Sequence, residues 1–165
     1  MSKSEQYLKE AFAGESQANR KYLAFAAAAD KESYRQVAKL FRAAAEAETI
    51  HAHNHLRVLK GVKSTRDNLQ EAINGETDEF NRMYPGMITT AKAEGNKEAE
   101  RSFNYANEVE KGHAKLYQKL LDTLGTSKES YPYYVCPVCG NTVENEPPGV
   151  CPICGTAGKM FKKIE

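Results

Sequence analysis

The residues of this chain best suited to chemistry are Glu48-Thr-Ile-His51, Glu110-Lys-Gly-His113 and the cysteine pairs Cys136-Pro-Val-Cys139 and Cys151-Pro-Ile-Cys154. On a helix, positions i and i+3 share a face, so each Glu-x-x-His segment offers a carboxylate and an imidazole side by side. Such a pair binds a metal ion through oxygen and nitrogen. The two C-x-x-C pairs are separated by eleven residues and form two tight turns with two sulfurs each. Together they close a tetrahedral site of the kind that holds zinc or a single iron, and the spacing leaves both open.

Periodicity shows which elements must position these groups. Apolar residues recur at three- and four-residue steps to about residue 124, a stretch interrupted by one proline, Pro85. Breaks at Asp30-Lys-Glu-Ser33, Gly61-Val-Lys-Ser-Thr65 and Gly95-Asn96 divide it into four helices. Ser33 and Thr65 are expected to cap the second and third, and Gly61 to stop the second. Tyr84-Pro85-Gly86 predicts a kink in the third. Short connections between helices of this length predict an up-down, all-α four-helix bundle.

The apolar stripe of each helix carries a carboxylate near its middle. Glu15 falls among Phe12, Tyr22 and Phe25; Glu48 and His51 fall between Phe41 and Val58. Glu76 and Glu79 lie between Leu69 and Met83, and Glu110 and His113 lie between Phe103 and Tyr117. A buried carboxylate without a partner is costly, so converging glutamates must take up protons or hold cations. Lysines and arginines fall mostly off the stripes, which leaves metal as the economical counter-charge. Two Glu-x-x-His helices plus one glutamate from each of two others form the ligand set of di-iron and di-manganese carboxylate bundles. In that set His51 and His113 each bind one metal, Glu48 and Glu110 bridge, and Glu15 and Glu76 are terminal. Glutamates 46, 94, 98, 100 and 108, with His53, fall off the stripes and are expected in solvent. His55, one turn beyond His51, is read as structural or supporting.

Composition adds limits. Charged residues make up 27% and the net charge is +1, with no basic cluster near the cysteines to favour nucleic acid. No stretch approaches the roughly 20 apolar residues of a membrane span. Met1 to Glu10 is polar and mixed in charge, unlike a secretory signal, so the cytoplasm is the expected address. C-x-x-C pairs in a reducing compartment point to metal rather than disulfides. The expected organisation is a helical domain over 1–126, a linker over 127–133 and a metal-stabilised β/loop domain over 134–165. The last is too small to fold on an apolar core alone.

Taken together, these segments resemble the rubrerythrin family over essentially the whole chain. The resemblance is carried by Gly14-Glu15-Ser-Gln-Ala, Phe41-Arg42 leading to Glu48-x-x-His51, Gly75-Glu76-Thr-Asp-Glu79 with Met83-Tyr84-Pro85, and Glu110-x-x-His113. Tyr134-Val-Cys-Pro-Val-Cys-Gly and Val150-Cys-Pro-Ile-Cys-Gly complete it. It implies a ferritin-like bundle holding two irons in a carboxylate-bridged site, followed by a rubredoxin-like domain with one iron in a four-cysteine site. It makes Glu79 a seventh ligand, binding the oxidised site where His51 binds the reduced one. It makes Tyr22 and Tyr84 hydrogen-bond donors to the ligand carboxylates. It further implies reduction of hydrogen peroxide to water in oxidative-stress defence, with electrons relayed by the cysteine-held iron. That iron is expected to reach a di-iron site across the interface of a homodimer or larger head-to-tail assembly. The chain has no Gly-x-Gly-x-x-Gly fingerprint, so any NAD(P)H is oxidised elsewhere. A rubredoxin, ferredoxin or flavoprotein reductase is the implied donor. Two rival readings are an iron-storage ferroxidase, and an inert bundle with a zinc ribbon. Glu79 and the fused cysteine module weigh against the first, and the stripe glutamates against the second.

Overall fold

Helix α1 (Lys3–Lys31) starts where the Ser2 hydroxyl accepts a hydrogen bond from the Glu5 N–H at 3.2 Å, in a computed structural model that describes residues 2–165. It is followed by α2 (Arg35–Val58), α3 (Thr65–Asp78), a π-helical turn (Glu79–Met83), α4 (Tyr84–Ala93) and α5 (Lys97–Asp122). The π-helical turn joins α3 to α4 without a break, so the described residues form four helical rods, as expected. Strands β1 (Tyr133–Val135), β2 (Thr142–Glu144) and β3 (Lys162–Ile164) then form an antiparallel sheet in the order β2-β1-β3, beside the cysteines. No helix among the described residues is long and apolar enough to cross a membrane. The chain divides into two compact units, one ending at Lys63 and one spanning Ser64–Glu165.

In the first unit α1 packs against α2 through alanines. Ala38, Ala45 and Ala52 recur at seven-residue steps on α2, and all three are buried, as are Ala26 and Ala29 of α1. Small side chains let two backbones approach closely, and Asn19 bridges the seam, donating to the Ala45 carbonyl at 2.7 Å and the Thr49 hydroxyl at 2.8 Å. The expected core stripe lies beside this seam. Its large members Phe25, Val37 and Val58 are exposed, with Phe25 stacked edge-on against Phe41 at 5.5 Å. In the second unit α3, the π-helical turn and α4 pack against α5, whose Val109 and Ala114 are buried.

The helix ends correct three expectations. Ser33 is not the cap of α2; it sits at φ 67° just past the end of α1, where the Tyr34 N–H reaches back to the Ala29 carbonyl at 2.8 Å. Lys60 takes the same left-handed position after α2, at φ 54°. Gly61 then occupies the next place, its N–H bonded to the Leu56 carbonyl at 3.0 Å, where any Cβ would collide with the Leu56 side chain. Both are Schellman closures, normally built with glycine in the left-handed place. The cap of α3 is Ser64, which accepts from the Asp67 N–H at 3.2 Å, and Thr65 is the first helical residue. The break at Gly95-Asn96 falls as expected, with the Asn96 side chain accepting from the Ala99 N–H at 3.0 Å.

The distortion expected at Pro85 falls one turn earlier. Pro85 lies in the first turn of α4, but the rod continues upstream, so its missing N–H removes one bond from the ladder just where the π-helical turn ends. The irregularity is the π-helical turn before it, in which the Tyr84 N–H bonds to the Glu79 carbonyl five residues back. Such turns arise from one extra residue in a helical ladder and often sit at functional positions.

The alanine seam yields a stability prediction. Ala38 is fully buried, so Ala38→Leu should overpack the α1–α2 contact and cost about 1–3 kcal/mol. A lowered midpoint in urea unfolding, followed by helical circular dichroism, is the expected result.

Candidate metal centres

Each unit presents one glutamate opposite one Glu-x-x-His face. In the first, Glu15 of α1 meets Glu48 and His51 of α2: His51 Nδ1 lies 2.8 Å from Glu48 Oε2 and 3.9 Å from Glu15 Oε1. In the second, Glu76 of α3 meets Glu110 and His113 of α5: His113 Nδ1 lies 2.7 Å from Glu110 Oε2 and 3.7 Å from Glu76 Oε1. The two groups are near-copies of one geometry, and in each the three ligand atoms gather within 4.8 Å of one another. Their carboxylates are half-buried, while the His51 side chain is 54% exposed.

Electrostatics tests whether the second group suits a cation. Burial pushes the Glu76 carboxyl up to about 7, helped by the charge of Glu110, a hydrogen bond with Glu110 and the charge of Glu79. Glu79 is raised by burial, then by Glu110 and Asp78, against a lowering by His113. Burial and the same carboxylates raise the phenols of Tyr84 and Tyr117. Burial and mutual repulsion disfavour charge on Glu76 and Glu79, and a divalent metal is the partner this donor set fits.

Not every expected residue joins a group. Glu79, at the start of the π-helical turn, is not one of the three whose ligand atoms gather, although it feels Glu110 and His113. Tyr22 packs on Phe25 and Phe41, with ring centroids 6.3 and 6.1 Å away, and Tyr84 on Phe103 at 6.4 Å. Among the described residues neither phenol makes a hydrogen bond to a ligand carboxylate. His55 is half-buried and His53 exposed. Glu100 corrects an expectation: its side chain is 19% exposed, paired with Lys97 at 3.0 Å and Lys92 at 4.0 Å, because α4 packs along that side of α5. Two residues near the site were given no functional role by the sequence reading. Tyr117, read as a member of the apolar stripe, stands one turn after His113 and feels the charges of Glu76 and Glu110. Thr142, whose hydroxyl lies 2.9 Å from His113 Nε2, is distant in sequence and gave no signal.

The four cysteines converge on one point. Cys136 and Cys154 Sγ are 3.5 Å apart, and Cys139 and Cys151 Sγ 3.6 Å. A tetrahedral metal with bonds of about 2.3 Å has sulfur–sulfur edges of about 3.8 Å, so the cage is near the size needed. Each knuckle is closed by a glycine, the Gly140 and Gly155 N–H bonding to the Cys136 and Cys151 carbonyls at 3.0 Å. Both glycines hold positive φ, 84° and 77°, which other residues resist. The Thr156 hydroxyl lies 3.1 Å from Cys154 Sγ. Burial pushes the Cys154 thiol up, but hydrogen bonds from the Thr156 hydroxyl and N–H and the neighbouring thiols outweigh it, taking it down to about 6. Cys136 and Cys151 are buried with Phe161, and Tyr134, Val143 and Ile153 pack around them.

A family model described as Rubrerythrin matches residues 6–121, and one described as Rubrerythrin, rubredoxin-like domain, matches residues 134–162. The chain belongs to the rubrerythrin family. Among its relatives, Rubrerythrin-2 of Clostridium acetobutylicum is 42% identical over 152 residues, covering 82% of this chain and 83% of that one. Nigerythrin of Nitratidesulfovibrio vulgaris is 34% identical over 147 residues, covering 81% and 72%. A solved structure of nigerythrin in its fully reduced, all-ferrous state superposes with a TM-score of 0.60 at 32% identity, covering 99% of this chain and 88% of that one. As a rubrerythrin-family chain it has the carboxylate–histidine groups of a di-iron site and a rubredoxin-like four-cysteine site.

The raised Glu76 carboxyl makes metal-free stability depend on pH. Below its ordinary value of 4.5 Glu76 is protonated in folded and unfolded chains alike; above it the unfolded chain ionises first, while the folded chain holds the proton to about 7. Folding stability should therefore fall as pH rises across that window and level off above it. In chelator-treated protein, urea midpoints should show this decline, and Glu76→Gln should flatten it.

Proposed function

We propose that the chain is a non-haem di-iron peroxidase, reducing hydrogen peroxide to water with electrons relayed through its four-cysteine iron from an external reductase. The observation that carries this reading is the pairing, on Ser64–Glu165, of the four-thiol cage with a carboxylate–histidine group that has Glu79 one turn beyond Glu76. Iron storage needs no electron-passing cage, and an inert ribbon needs no such carboxylates.

The proposed ligands are Glu15, Glu48, His51, Glu76, Glu79, Glu110 and His113 for two irons, and Cys136, Cys139, Cys151 and Cys154 for the third. When bound, the iron pair supplies two electrons together to an O–O bond and acts as a Lewis acid on both oxygens. The residues supply the rest. Glu79 and His51 would be the alternative ligands of one iron, Glu79 for the oxidised site and His51, whose side chain is 54% exposed, for the reduced one. Peroxide reduction consumes two protons. The raised Glu79 carboxyl and the Tyr84 phenol, both half-buried beside the acidic group, are suited to hold and deliver them. Tyr22 and Tyr84 are both proposed to orient ligand carboxylates by hydrogen bonding once metal is bound. The assembly is proposed to be a homodimer, and the donor a rubredoxin, ferredoxin or flavoprotein reductase, linked to NAD(P)H where that is the source.

The deciding experiment is anaerobic. Fully reduced protein should regain its thiolate-to-iron colour quickly with peroxide and slowly with air. Faster response to air would replace this reading with an oxidase or ferroxidase, and a colourless protein would mean zinc in the cage. Glu79→Ala should leave the fold intact and slow turnover about 10–100-fold, whereas unchanged turnover would remove its assigned role. Cys154→Ser should stop electron delivery while a chemically reduced carboxylate site still consumes one peroxide.

A further inference from the structure

Three tyrosines of Ser64–Glu165 form a line that starts at the carboxylate–histidine group. Tyr117 stands on α5 one turn after His113, where its phenol feels the charges of Glu76 and Glu110. Tyr117 and Tyr133, the first residue of β1, line one cleft of about 290 Å³ whose walls include Leu116, Val135 and Ile164. Tyr133 packs against Tyr131, with ring centroids 5.7 Å apart. Tyr131 in turn lines a second cleft of about 260 Å³, bordered by the exposed residues Ser127 and Glu129, and Leu120 borders both clefts. The rings thus run from beside the proposed metal ligands, along an apolar wall, to a polar cleft at the surface.

The outer end of this line is equipped to move a proton as well as an electron. The Tyr131 hydroxyl donates to Glu144 Oε1 at 2.7 Å, Lys119 donates to Glu144 Oε2 at 2.7 Å, and the Lys119 ammonium lies 5.1 Å from the Tyr131 ring centroid. Burial raises the Glu144 carboxyl, but the hydrogen bonds from Lys119 and Tyr131 outweigh it and hold it below the usual carboxylate range, so it stands ionised. Burial pushes the Tyr133 phenol up to about 12, helped by a hydrogen bond with Tyr131, so Tyr133 keeps its proton at neutral pH. A phenol that loses an electron becomes a strong acid, and it loses that electron readily when a base lies within hydrogen-bond reach of its proton. Glu144 Oε1 is such a base.

We propose that Tyr117, Tyr133 and Tyr131 carry an oxidising equivalent out of the carboxylate site when peroxide meets it half-reduced, with Tyr131 as the terminal radical and Glu144 as its proton acceptor. This inference rests on the function proposed above. Hydrogen peroxide needs two electrons and two protons to become two waters, and a site left with a single ferrous ion holds one electron. In the proposed step the O–O bond breaks and the ferrous ion becomes ferric. The second electron is drawn through Tyr117 and Tyr133 from Tyr131, whose phenolic proton moves to Glu144, and the two protons consumed come from solvent. A small thiolate reaching the second cleft then returns one electron and becomes a thiyl radical, which pairs with another to form a disulfide. Glu144 gives the proton back to Tyr131. The line would protect the ligands from an oxidation that the site has too few electrons to complete.

Protein with iron in the carboxylate site and redox-inert zinc in the cysteine cage gives no electron from the cage. Reduced with limited dithionite to one electron per carboxylate site, mixed with one equivalent of peroxide and freeze-quenched, it should show a tyrosyl radical by electron paramagnetic resonance. Tyr131→Phe should lose the wild-type signal. Glu144→Gln, which keeps a hydrogen-bond acceptor and removes the base, should lose it as well, whereas a purely structural clasp would leave the signal in place. Tyr7→Phe, at an exposed tyrosine of the first unit, should not change it. Fully reduced protein should consume one peroxide per carboxylate site in the wild type, Tyr131→Phe and Glu144→Gln alike. A second measurement needs no iron: azide radicals generated by pulse radiolysis oxidise the chain with its carboxylate site empty, and a spin trap followed by peptide mass spectrometry should place the adduct on Tyr131. A half-reduced wild type without a tyrosyl signal, or a signal unchanged in Tyr131→Phe, would overturn the inference while the peroxidase reading stands. Fully reduced wild type that consumes no peroxide would overturn that reading instead. The radiolysis then decides the line by itself, and adducts spread evenly over the exposed Tyr7 and Tyr34 would refute it.

Discussion

Carboxylates held together away from bulk water govern most of what this chain does with its helices. Glu76 and Glu79 lie in the field of Glu110, and burial makes their charges expensive, so Glu76 holds its proton to about neutral pH. A metal-free chain answers this by protonation and a metal-bound one by coordination. The helices must therefore be stable enough to hold these groups together against their repulsion. On α5 that stability comes from a buried stripe containing Val109 and Ala114, interrupted by Glu110 and His113 where the metal is wanted.

The same ligand triad is built twice from different local parts. On α1 and α2, alanines draw the backbones close, and Asn19 ties the seam one turn from Glu15 and Glu48. On α3 and α5, the helix is widened just after Glu76 by the π-helical turn that begins at Glu79. The widening shifts the register of the next helical segment, so Tyr84 is set by a five-residue bond to Glu79 rather than by ordinary helical spacing. The extra carboxylate and the extra residue in the helix thus come together, and the duplication is broken at the place where the proposed chemistry needs an asymmetric ligand.

The cysteine domain follows a different logic. Its strands are three residues each and its apolar cluster centres on Phe161 and two buried cysteines. Four converging thiols give this small sheet a centre that side-chain burial alone does not. Its edge is not left free: Thr142 and Glu144 of β2 both reach α5, one to His113 and one to Lys119. The strand that completes the sheet is also the one that meets the helical ligand face.

Much of this was legible in the chain itself because its signals are local and covalent. Glu-x-x-His and C-x-x-C need only helix pitch or a tight turn to bring their members together, and helical periodicity survives wherever no glycine or proline intervenes. The helix ends were less legible, because Ser33 and Lys60 hold left-handed positions that a sequence reader assigns to glycine. The site of the irregularity near Pro85 was also displaced, since the N–H that Pro85 lacks is accommodated by a π-helical turn in the residues before it. Which stripe forms the α1–α2 seam, how far Glu100 is covered, and that Thr142 meets His113 were decided only by tertiary structure. Those outcomes depend on the approach of segments that no local spacing relates, where packing and the pairing of buried polar groups choose among faces that look equivalent in sequence.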